Sequence, residues 1–452
     1  MSQYVVAQLS LVASLLMNWD GIRLHMEPMA ARTREQMSII AAGLQSAESP
    51  DQIASLVDDL LDVTRDTPAY EYVRDLVARS AVPPEATTRD SEAAPFPKRP
   101  NVLWRVRPSP ASVDLEAADL DASRKLGSVI SVDSGIARVP IFFATNRAQA
   151  AQGKAIFSGE PAAGISYGVS PVTIPVAKHR IGKVETPHWW TLFPDSDPEH
   201  RFVTLEGTEI LEQPAFATRL ETLLHDSGVE DLLIFLHGYN VTFEEGARRA
   251  AQIAYDMQFP GAVILFSWPS AGSAAAYPKD EESAFASAGA FAAFLKSLEG
   301  GPWQRVHVLA HSMGNRVMLL GLADNPRPKL PLGQVVFTAA DVYVPLFLDK
   351  FPRLLEAGAL PATSYASSRD LALRLSSMLH RGARVGLISG SPFVDPPLDT
   401  VDASAVDTGF LGHGYFSEKR SLITDLRLLL YQSLSPKDRG LMSVENYWQF
   451  PK

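Results

Sequence analysis

Short apolar runs alternate with amphipathic stretches from about residue 135 onward. Seven runs have the length of a buried strand: Val139 to Ala144, Leu232 to Leu236, Val263 to Ser267, Val306 to Ala310, Gln334 to Ala339, Ala362 to Ser367 and Leu398 to Val401. Helical spacing of apolar residues lies between them, as in Phe243 to Met257. This alternation is typical of a mostly parallel sheet that is covered by helices on both faces, and it predicts the α/β class.

The pattern changes along the chain and divides it into segments. Residues three and four apart, such as Met37, Ile40 and Leu44, predict helices near the N-terminus, and the prolines that follow Val82 interrupt regular structure. We predict four segments: a helical N-terminal module at 1–82, a Pro-rich linker and lead-in at 83–134, the α/β domain at 135–435 and a C-terminal tail at 436–452.

Composition limits the partners and the kinds of active site that the chain can have. The chain has 452 residues and a formal net charge of -10, and its charged residues are scattered rather than blocked. Without a basic face, nucleic acid is not an expected partner. Cysteine is absent, which excludes disulfides, thiolate nucleophiles and cysteine-based metal sites. No metal and no organic cofactor is implied.

An apolar stretch, Val5 to Met17, lies in the uncharged N-terminal segment. It has no Lys or Arg before it, is interrupted by Gln8, Ser10 and Ser14, and is too short to span a bilayer. We therefore expect a buried helix rather than an export signal, no membrane span, and a cytoplasmic protein.

The segment from Val306 to Leu319 contains the strongest candidate for a nucleophile. A predicted buried strand runs into Ser312 and a helix leaves directly after it, with the small residues Ala310 and Gly314 two positions to either side. Such a tight turn lifts a hydroxyl clear of the sheet and directs a helix N-terminus at a developing oxyanion. We expect Ser312 to be the nucleophile and the Met313 N–H to be one oxyanion donor.

A second oxyanion donor is expected from the loop after the strand Leu232 to Leu236. This loop reads His237-Gly238-Tyr239-Asn240, and Gly238 would let the backbone approach a substrate closely. Tyr239 or Asn240 would supply the N–H. No carboxylate or second histidine lies at ligand spacing, so we expect His237 to pin the loop by hydrogen bonds rather than to bind a metal.

In a fold with a strand–serine–helix turn, the catalytic base follows the serine in the chain. Two histidines, His380 and His413, meet this condition. His380 ends the helical stretch Leu371 to Leu379, where a cation complements the helix dipole. His413 lies in Gly412 to Tyr415, a loop between the last predicted strand and the closing helix. A base must reach over the strand ends from a loop, so we predict His413.

The acid that orients this base should follow a strand near that of the nucleophile. Asp370 follows the run Ala362 to Ser367 by a short turn, and Asp341 follows the run Gln334 to Ala339. Because the acid usually follows the later strand, we predict Asp370 and keep Asp341 as its rival.

Five motifs together resemble those of a bacterial α/β-hydrolase family whose members are mostly described as hydrolases of unknown function, a few as esterases. The motifs are Val139 to Arg147, His237 to Asn240, Phe266 to Ser270, Ala310 to Gly314 and Gly412 to Phe416. The likeness covers about residues 136–432, and Ala310 departs from the strict serine pentapeptide, which has glycine there. It implies an α/β-hydrolase fold after the N-terminal module, with Ser312, His413 and Asp370 as the catalytic triad.

The resemblance also implies an activity. We expect a serine esterase that acts on a small-molecule carboxylic ester through a covalent acyl-enzyme. Lipase, thioesterase and amidase chemistry use the same triad and stay open, because pocket shape decides among them. A binding or scaffold protein with a vestigial hydrolase domain is the alternative of another class. In either case, the N-terminal helices would form a lid, a dimerisation surface or a docking site for a protein partner.

Two further motifs have less defined roles. Trp268 follows the strand Val263 to Ser267 and so lies where open α/β sheets bind substrates, although a plain core role suits a large aromatic side chain equally well. The pair Asn146-Arg147 is expected to anchor a surface loop.

Overall fold

The computed structural model describes residues 59–60, 129–151, 155–185, 198–273, 276–325, 328–355, 361–406 and 420–451. The chain divides into two units, residues 1–116 and 117–452. The helices and strands below all belong to the second unit. Apart from residues 59 and 60, the predicted helical module at 1–82 lies outside the described residues, as does most of the predicted linker at 83–134.

The second unit is built on a 13-stranded sheet. In chain order the strands are β1 Ser131–Asp133, β2 Ile136–Gln149, β3 Phe157–Pro175, β4 Thr204–Leu205, β5 Glu209–Leu211, β6 Asp231–Leu236, β7 Ala262–Ser267, β8 Arg305–His311, β9 Leu332–Thr338, β10 Ala362–Ala366, β11 Asp399–Asp402, β12 Met442–Val444 and β13 Tyr447–Gln449. Across the sheet the order is β12-β13-β11-β10-β9-β8-β6-β7-β2-β3-β4, and β1 pairs with β2 and β5 with β3.

The strands between β13 and β2 in this order pair in parallel, and antiparallel pairs complete both edges. The carboxyl ends of parallel strands meet at one edge of a sheet, which is where open α/β sheets carry their ligand sites. Because β8 lies between β6 and β9, the loop that follows β8 is flanked by the loops that follow β6 and β9.

Helices cover both faces of this sheet. They are α1 Gln213–Ser227, α2 Phe243–Met257, α3 Tyr277–Ser297, α4 Gly314–Ala323, α5 Val344–Leu355, α6 Leu371–His380 and α7 Arg420–Gln432. Buried residues of α1, α3, α4 and α5 share one core, and those of α2, α6 and α7 share the other. Along β6, Leu232 and Ile234 face the first core while Leu233 and Phe235 face the second, so the fold confirms the predicted α/β class with two covered faces. None of the described helices is long and apolar enough to cross a lipid bilayer.

The seven predicted strands are all present, but the sheet is wider than the apolar runs indicate. The long strand β3 was not predicted, because its Pro161, Gly168 and Pro171 are depleted in strands. It lies at the antiparallel side of the sheet, where β2 supplies a partner along most of its length. The predicted tail at 436–452 also departs from expectation, since it contributes β12 and β13, and β13 pairs with β11.

A histidine whose side chain is only 4% exposed, His179, joins the loop after β3 to α2. The Nδ1 of His179 lies 2.9 Å from Glu185 Oε2, and its Nε2 lies 2.7 Å from Asp256 Oδ1 on α2. Burial alone would lower the pKa of His179, but the hydrogen bonds to the two carboxylates outweigh it and raise the pKa to about 9. The imidazole is therefore protonated at neutral pH and bridges two acids.

Candidate active site

Ser312 occupies the sharp turn between the end of β8 and the start of α4. Its φ is +53°, in the left-handed region, which costs a residue with a side chain about 1–2 kcal/mol. The turn is closed by Gly314, since a Cβ built there would lie 2.4 Å from the carbonyl oxygen of His237. The strained serine and the obligatory glycine have the form expected of a nucleophile elbow.

Hydrogen bonds tie this elbow to the neighbouring strand β9 and the residues that follow it. The Ser312 N–H donates to Thr338 O at 3.0 Å, and the Asp341 N–H donates to Ser312 O at 3.2 Å. The side-chain amide of Asn315 donates to Ser312 O at 2.9 Å and to Thr338 O at 3.1 Å. The backbone around Ser312 is thus fixed from its own helix and from β9.

The N-terminus of α4 supplies the first predicted oxyanion donor. Met313 is the N-cap of this helix, and across the described ranges its backbone N–H has no hydrogen-bond partner. The side chain of Met313 is fully buried. A backbone N–H at a helix N-terminus, one residue after the serine, suits an anion that develops beside Ser312.

The loop after β6 lies against the elbow, as the sequence predicts. A Cβ built on Gly238 would lie 2.9 Å from Ser312 Cβ and 2.9 Å from His311 Nδ1. Only glycine therefore fits at position 238. Asn240 has a φ of +58°, so the loop turns sharply two residues later.

Asp280, the fourth residue of α3, binds the loops that follow β6 and β7. Its carboxylate accepts the Asn240 N–H at 3.2 Å, the Ser270 Oγ–H at 2.5 Å and the Ala271 N–H at 2.7 Å. The Asn240 N–H is thus already engaged. Asp280 is fully buried, and no feature of the sequence singled it out.

His237 serves the loop and not the chemistry. Its Nδ1 lies 2.8 Å from Gly238 O and its Nε2 lies 3.1 Å from Ser267 Oγ. Burial, with a smaller contribution from Arg147, lowers the pKa of His237 to about 3, so the ring is neutral at physiological pH. The expectation that His237 pins the loop by hydrogen bonds is met.

Trp268 belongs to the core, which decides between its two open roles and corrects its assignment to substrate binding. Its side chain is fully buried. The indole stacks on the His237 ring at a centroid distance of 5.1 Å, and its Nε1–H donates to His237 O at 2.8 Å. Trp268 therefore supports the loop from below rather than lining a pocket.

Arg147 was expected to anchor a surface loop, but it is buried with only 1% of its surface exposed. Its guanidinium contacts Ser267 Oγ (2.8 Å), Ser270 O (2.8 Å), Ser158 O (3.1 Å), Val241 O (2.7 Å) and His237 Nε2 (3.3 Å). Burial lowers the pKa of Arg147 to about 10, which still leaves it charged at neutral pH. One side chain from β2 thus joins the loops that follow β6 and β7.

Asp341, the rival acid, follows β9 and is surrounded by four polar side chains. Its Oδ1 accepts from Ser376 Oγ (2.6 Å) and contacts Arg384 Nε (3.2 Å), and its Oδ2 accepts from Tyr277 Oη (2.5 Å) and contacts Arg316 Nη2 (3.3 Å). The two hydroxyls donate hydrogen bonds to the carboxylate, whereas the Nε–H of Arg384 donates to Ser376 Oγ at 3.0 Å and the two arginines hold Asp341 by charge. Burial alone would raise the pKa of Asp341, but Arg316 and Arg384 hold it well below its usual range.

Asp370, the predicted acid, follows β10 and is fully buried. It is the N-cap of α6, and its Oδ1 accepts the Leu373 N–H at 2.9 Å. The predicted base, His413, lies outside the described residues, in the connection between β11 and α7. His380 ends α6 and is paired with Glu281 at 2.9 Å, in keeping with its expected role at a helix end.

A mostly parallel sheet with two covered faces and a strained serine between β8 and α4 defines the class: this is an α/β hydrolase. Residues 212–430 match the family described as "Alpha/beta hydrolase of unknown function (DUF900)". That region contains four of the five motifs quoted above, those at 237–240, 266–270, 310–314 and 412–416. The match confirms the family resemblance over these residues, which are just under half of the chain.

Solved structures with some likeness to the chain include hydrolases from three organisms. An inhibited esterase B from Lactobacillus rhamnosis has 11% identity and a TM-score of 0.30, covering 71% of this chain and 94% of that one. A poly(3-hydroxybutyrate) depolymerase from Bordetella parapertussis has 15% identity and a TM-score of 0.26, covering 46% and 80%. An esterase from the archaeon Pyrobaculum calidifontis has 12% identity and a TM-score of 0.27, covering 69% and 88%. No curated protein matches the chain.

Proposed function

We propose that the protein is a serine esterase that hydrolyses small carboxylic esters through Ser312, His413 and Asp370. The observation that carries this proposal is the elbow itself. Ser312 is held at a φ of +53°, and Gly238 of the next loop packs directly against it. Backbone strain of this kind persists where the surrounding structure enforces it, and it is concentrated at functional sites.

The chemistry is acyl transfer in two steps. Ser312 Oγ attacks the ester carbonyl carbon while His413 removes its proton, and His413 then gives that proton to the departing alkoxide. Water, deprotonated by the same imidazole, attacks the acyl-enzyme and releases the acid and the free serine. The negative oxygen of each tetrahedral intermediate would be stabilised by the N–H groups of Met313 and Tyr239.

The choice of Asp370 as the acid has two supports. Asp341 is paired with two buried arginines and accepts hydrogen bonds from Tyr277 and Ser376, so an imidazole would compete with four partners. Asp370 follows β10, whose neighbour β11 leads into the connection that carries His413. A base in that connection is close in chain topology to the end of β10.

A fluorophosphonate probe, which reacts covalently with activated serines, tests the assignment. We expect the full chain to be labelled and Ser312→Ala to lose both labelling and ester hydrolysis, with kcat falling roughly 10⁴- to 10⁶-fold. Ser134→Ala is a matched control, because Ser134 also has a left-handed φ, +52°, but is exposed in the turn between β1 and β2. Full labelling of Ser312→Ala, or no labelling of the folded wild type, would refute the proposal.

The substrate class is tested separately. p-Nitrophenyl esters of increasing acyl length, with thioester and anilide counterparts, separate esterase from lipase, thioesterase and amidase activity. We expect the highest kcat/KM on short oxygen esters. A preference of at least about tenfold for a thioester or an anilide would replace the esterase assignment while keeping the triad.

A further inference from the structure

A short segment that follows α6, residues 383–388, lies between the ends of β9 and β10. Before this point the two strands pair directly in parallel. Beyond it, the Gly386 N–H donates to Ala340 O at 3.0 Å, and Gly386 O accepts the Ser367 N–H, also at 3.0 Å. We call residues 383–388 the wedge, because they separate the chain that follows β9 from the chain that follows β10.

The approach of the wedge to β9 is as close as a backbone allows. A Cβ built on Gly386 would lie 2.2 Å from the backbone nitrogen of Ala340 and 2.6 Å from the carbonyl carbon of Ala339. Ala339 itself has a φ of +45°, in the left-handed region that residues with a side chain seldom adopt. Such strain persists where the surrounding structure enforces it, so the position of the wedge beside β9 is tightly specified.

A side-chain contact joins the same regions a second time. Ser376 is buried in the middle of α6, and its Oγ–H donates to Asp341 Oδ1 at 2.6 Å. The Nε–H of Arg384, a residue of the wedge, donates to Ser376 Oγ at 3.0 Å. The helix α6 and the wedge are thus bound to the residues after β9 at two separate points.

These contacts connect the turn that contains the serine with the turn that contains the predicted acid. On one side, the Asp341 N–H donates to Ser312 O at 3.2 Å. On the other, Asp370 follows Ser367 by three residues and is the N-cap of α6, where it accepts the Leu373 N–H. A shift of the wedge or of α6 away from β9 would therefore move Asp370 relative to Ser312.

We propose that Gly386 and Ser376 are positioning residues, which act through the wedge and α6 to set the separation of the predicted acid from the nucleophile Ser312. The inference rests on the proposed function, in which the His413 imidazole bonds both the serine hydroxyl and the Asp370 carboxylate. One ring can bond both only at a fixed separation, and a displacement of about 1 Å can cost on the order of 10² in rate.

Ser376→Ala removes one hydroxyl and keeps the backbone contacts. An asparagine at position 341 would still offer an oxygen to this hydroxyl, so removing the donor is the sharper test. We expect kcat on a short p-nitrophenyl ester to fall at least about tenfold with little change in KM. Because a nearby carboxylate stabilises the imidazolium, a displaced Asp370 should also move the acidic limb of the kcat/KM profile to lower pH by roughly half a unit.

Gly386→Ala tests the wedge at its other contact. The new Cβ would have to displace the backbone of Ala340, so we expect kcat to fall about 10²-fold with the same shift of the acidic limb. Gly382→Ala, just before the wedge, is the matched control. Its Cβ would first meet the ring of Tyr343 at 2.4 Å, and because Tyr343 is 41% exposed, its side chain can turn aside. This control should keep kcat within about threefold of wild type.

Two kinds of result would overturn the inference, and whichever of the two test variants folds decides. One is a folded Ser376→Ala or Gly386→Ala whose kcat stays within about threefold of wild type, or whose lower kcat comes with an unshifted acidic limb. The other is an equal loss of kcat in the control Gly382→Ala.

Failure of the proposed function is recognised separately. If hydrolysis is absent, or survives Ser312→Ala or Asp370→Asn, the proposed triad fails and the inference falls with it. If hydrolysis needs both of these residues but ignores Ser376 and Gly386, the inference alone is wrong.

Discussion

Replacing aspartate by asparagine should have opposite effects on stability and activity at Asp341, which follows β9, and at Asp370, which follows β10. In Asp341→Asn the volume is kept, but the charge that neutralises Arg316 and Arg384 is lost. Both arginines are at least 97% buried, and neither would find water in place of the carboxylate. In Asp370→Asn the helix keeps a good N-cap, since asparagine caps about as well as aspartate.

The structure gives the size of each effect. Removing one partner of a buried ion pair costs about 3–5 kcal/mol, and Asp341 is shared by two arginines. A domain of this size loses roughly 2–4 °C of unfolding temperature per kcal/mol, so Asp341→Asn should lower that temperature by roughly 6–20 °C. Asp370→Asn should cost about 1 kcal/mol or less. Its kcat, however, should fall about 10⁴-fold, as expected when a triad loses its charged acid.

The assay pairs thermal unfolding with ester hydrolysis at a temperature where both variants are folded. The expected outcome is an unstable but active Asp341→Asn and a stable but inactive Asp370→Asn. The reverse pattern, a folded Asp341→Asn without activity beside an active Asp370→Asn, would show that the residue after β9 is the acid.

Three further predictions concern stability and the elbow. The folded pKa of His179, about 9, exceeds its ordinary value of 6.5, so its contribution to the free energy of unfolding is present below about pH 6.5 and is lost as the pH rises through 9. In urea unfolding, the free energy of unfolding of wild type should fall by about 3 kcal/mol between about pH 6 and pH 10. The variant His179→Gln should lose most of this pH dependence. Gly314→Ala should slow fluorophosphonate labelling at least about tenfold because its Cβ would meet His237 O at 2.4 Å, whereas Gly289→Ala, in open space on α3, should label normally. Deleting residues 1–95 should leave a soluble domain by gel filtration, and aggregation would mean that the removed helices cover apolar surface.

Several features of this protein follow from short stretches of sequence. The central strands are continuous apolar runs because both faces of a parallel sheet are buried, and the apolar spacing of Phe243–Met257 matches α2 residue for residue. The elbow is equally local, since a strand, a serine and two small neighbours within five residues are enough to specify a tight turn. The expected chain order of serine, acid and base follows from these elements.

Other features depend on contacts between distant residues. Pro161 and Pro171 argue against a strand, yet β3 forms because β2 lies beside it. Arg147 and Asp280 look like surface charges, but the fold buries both between the loops that follow β6 and β7. The sequence signals them only by position: Arg147 lies three residues beyond the apolar run Val139 to Ala144, and Asp280 lies in the first turn of a helix.

The sequence by itself determined the class of fold, the tight turn at Ser312 and the loop that packs against it, because each depends on the periodicity or size of residues close in the chain. Only the tertiary structure decided that Asp341 is occupied by two arginines, that the Asn240 N–H is used by Asp280, and that Trp268 lies in the core. The physical reason is that hydrogen-bond capacity is filled by whatever partner the fold brings within about 3 Å, and those partners lie on other strands and helices.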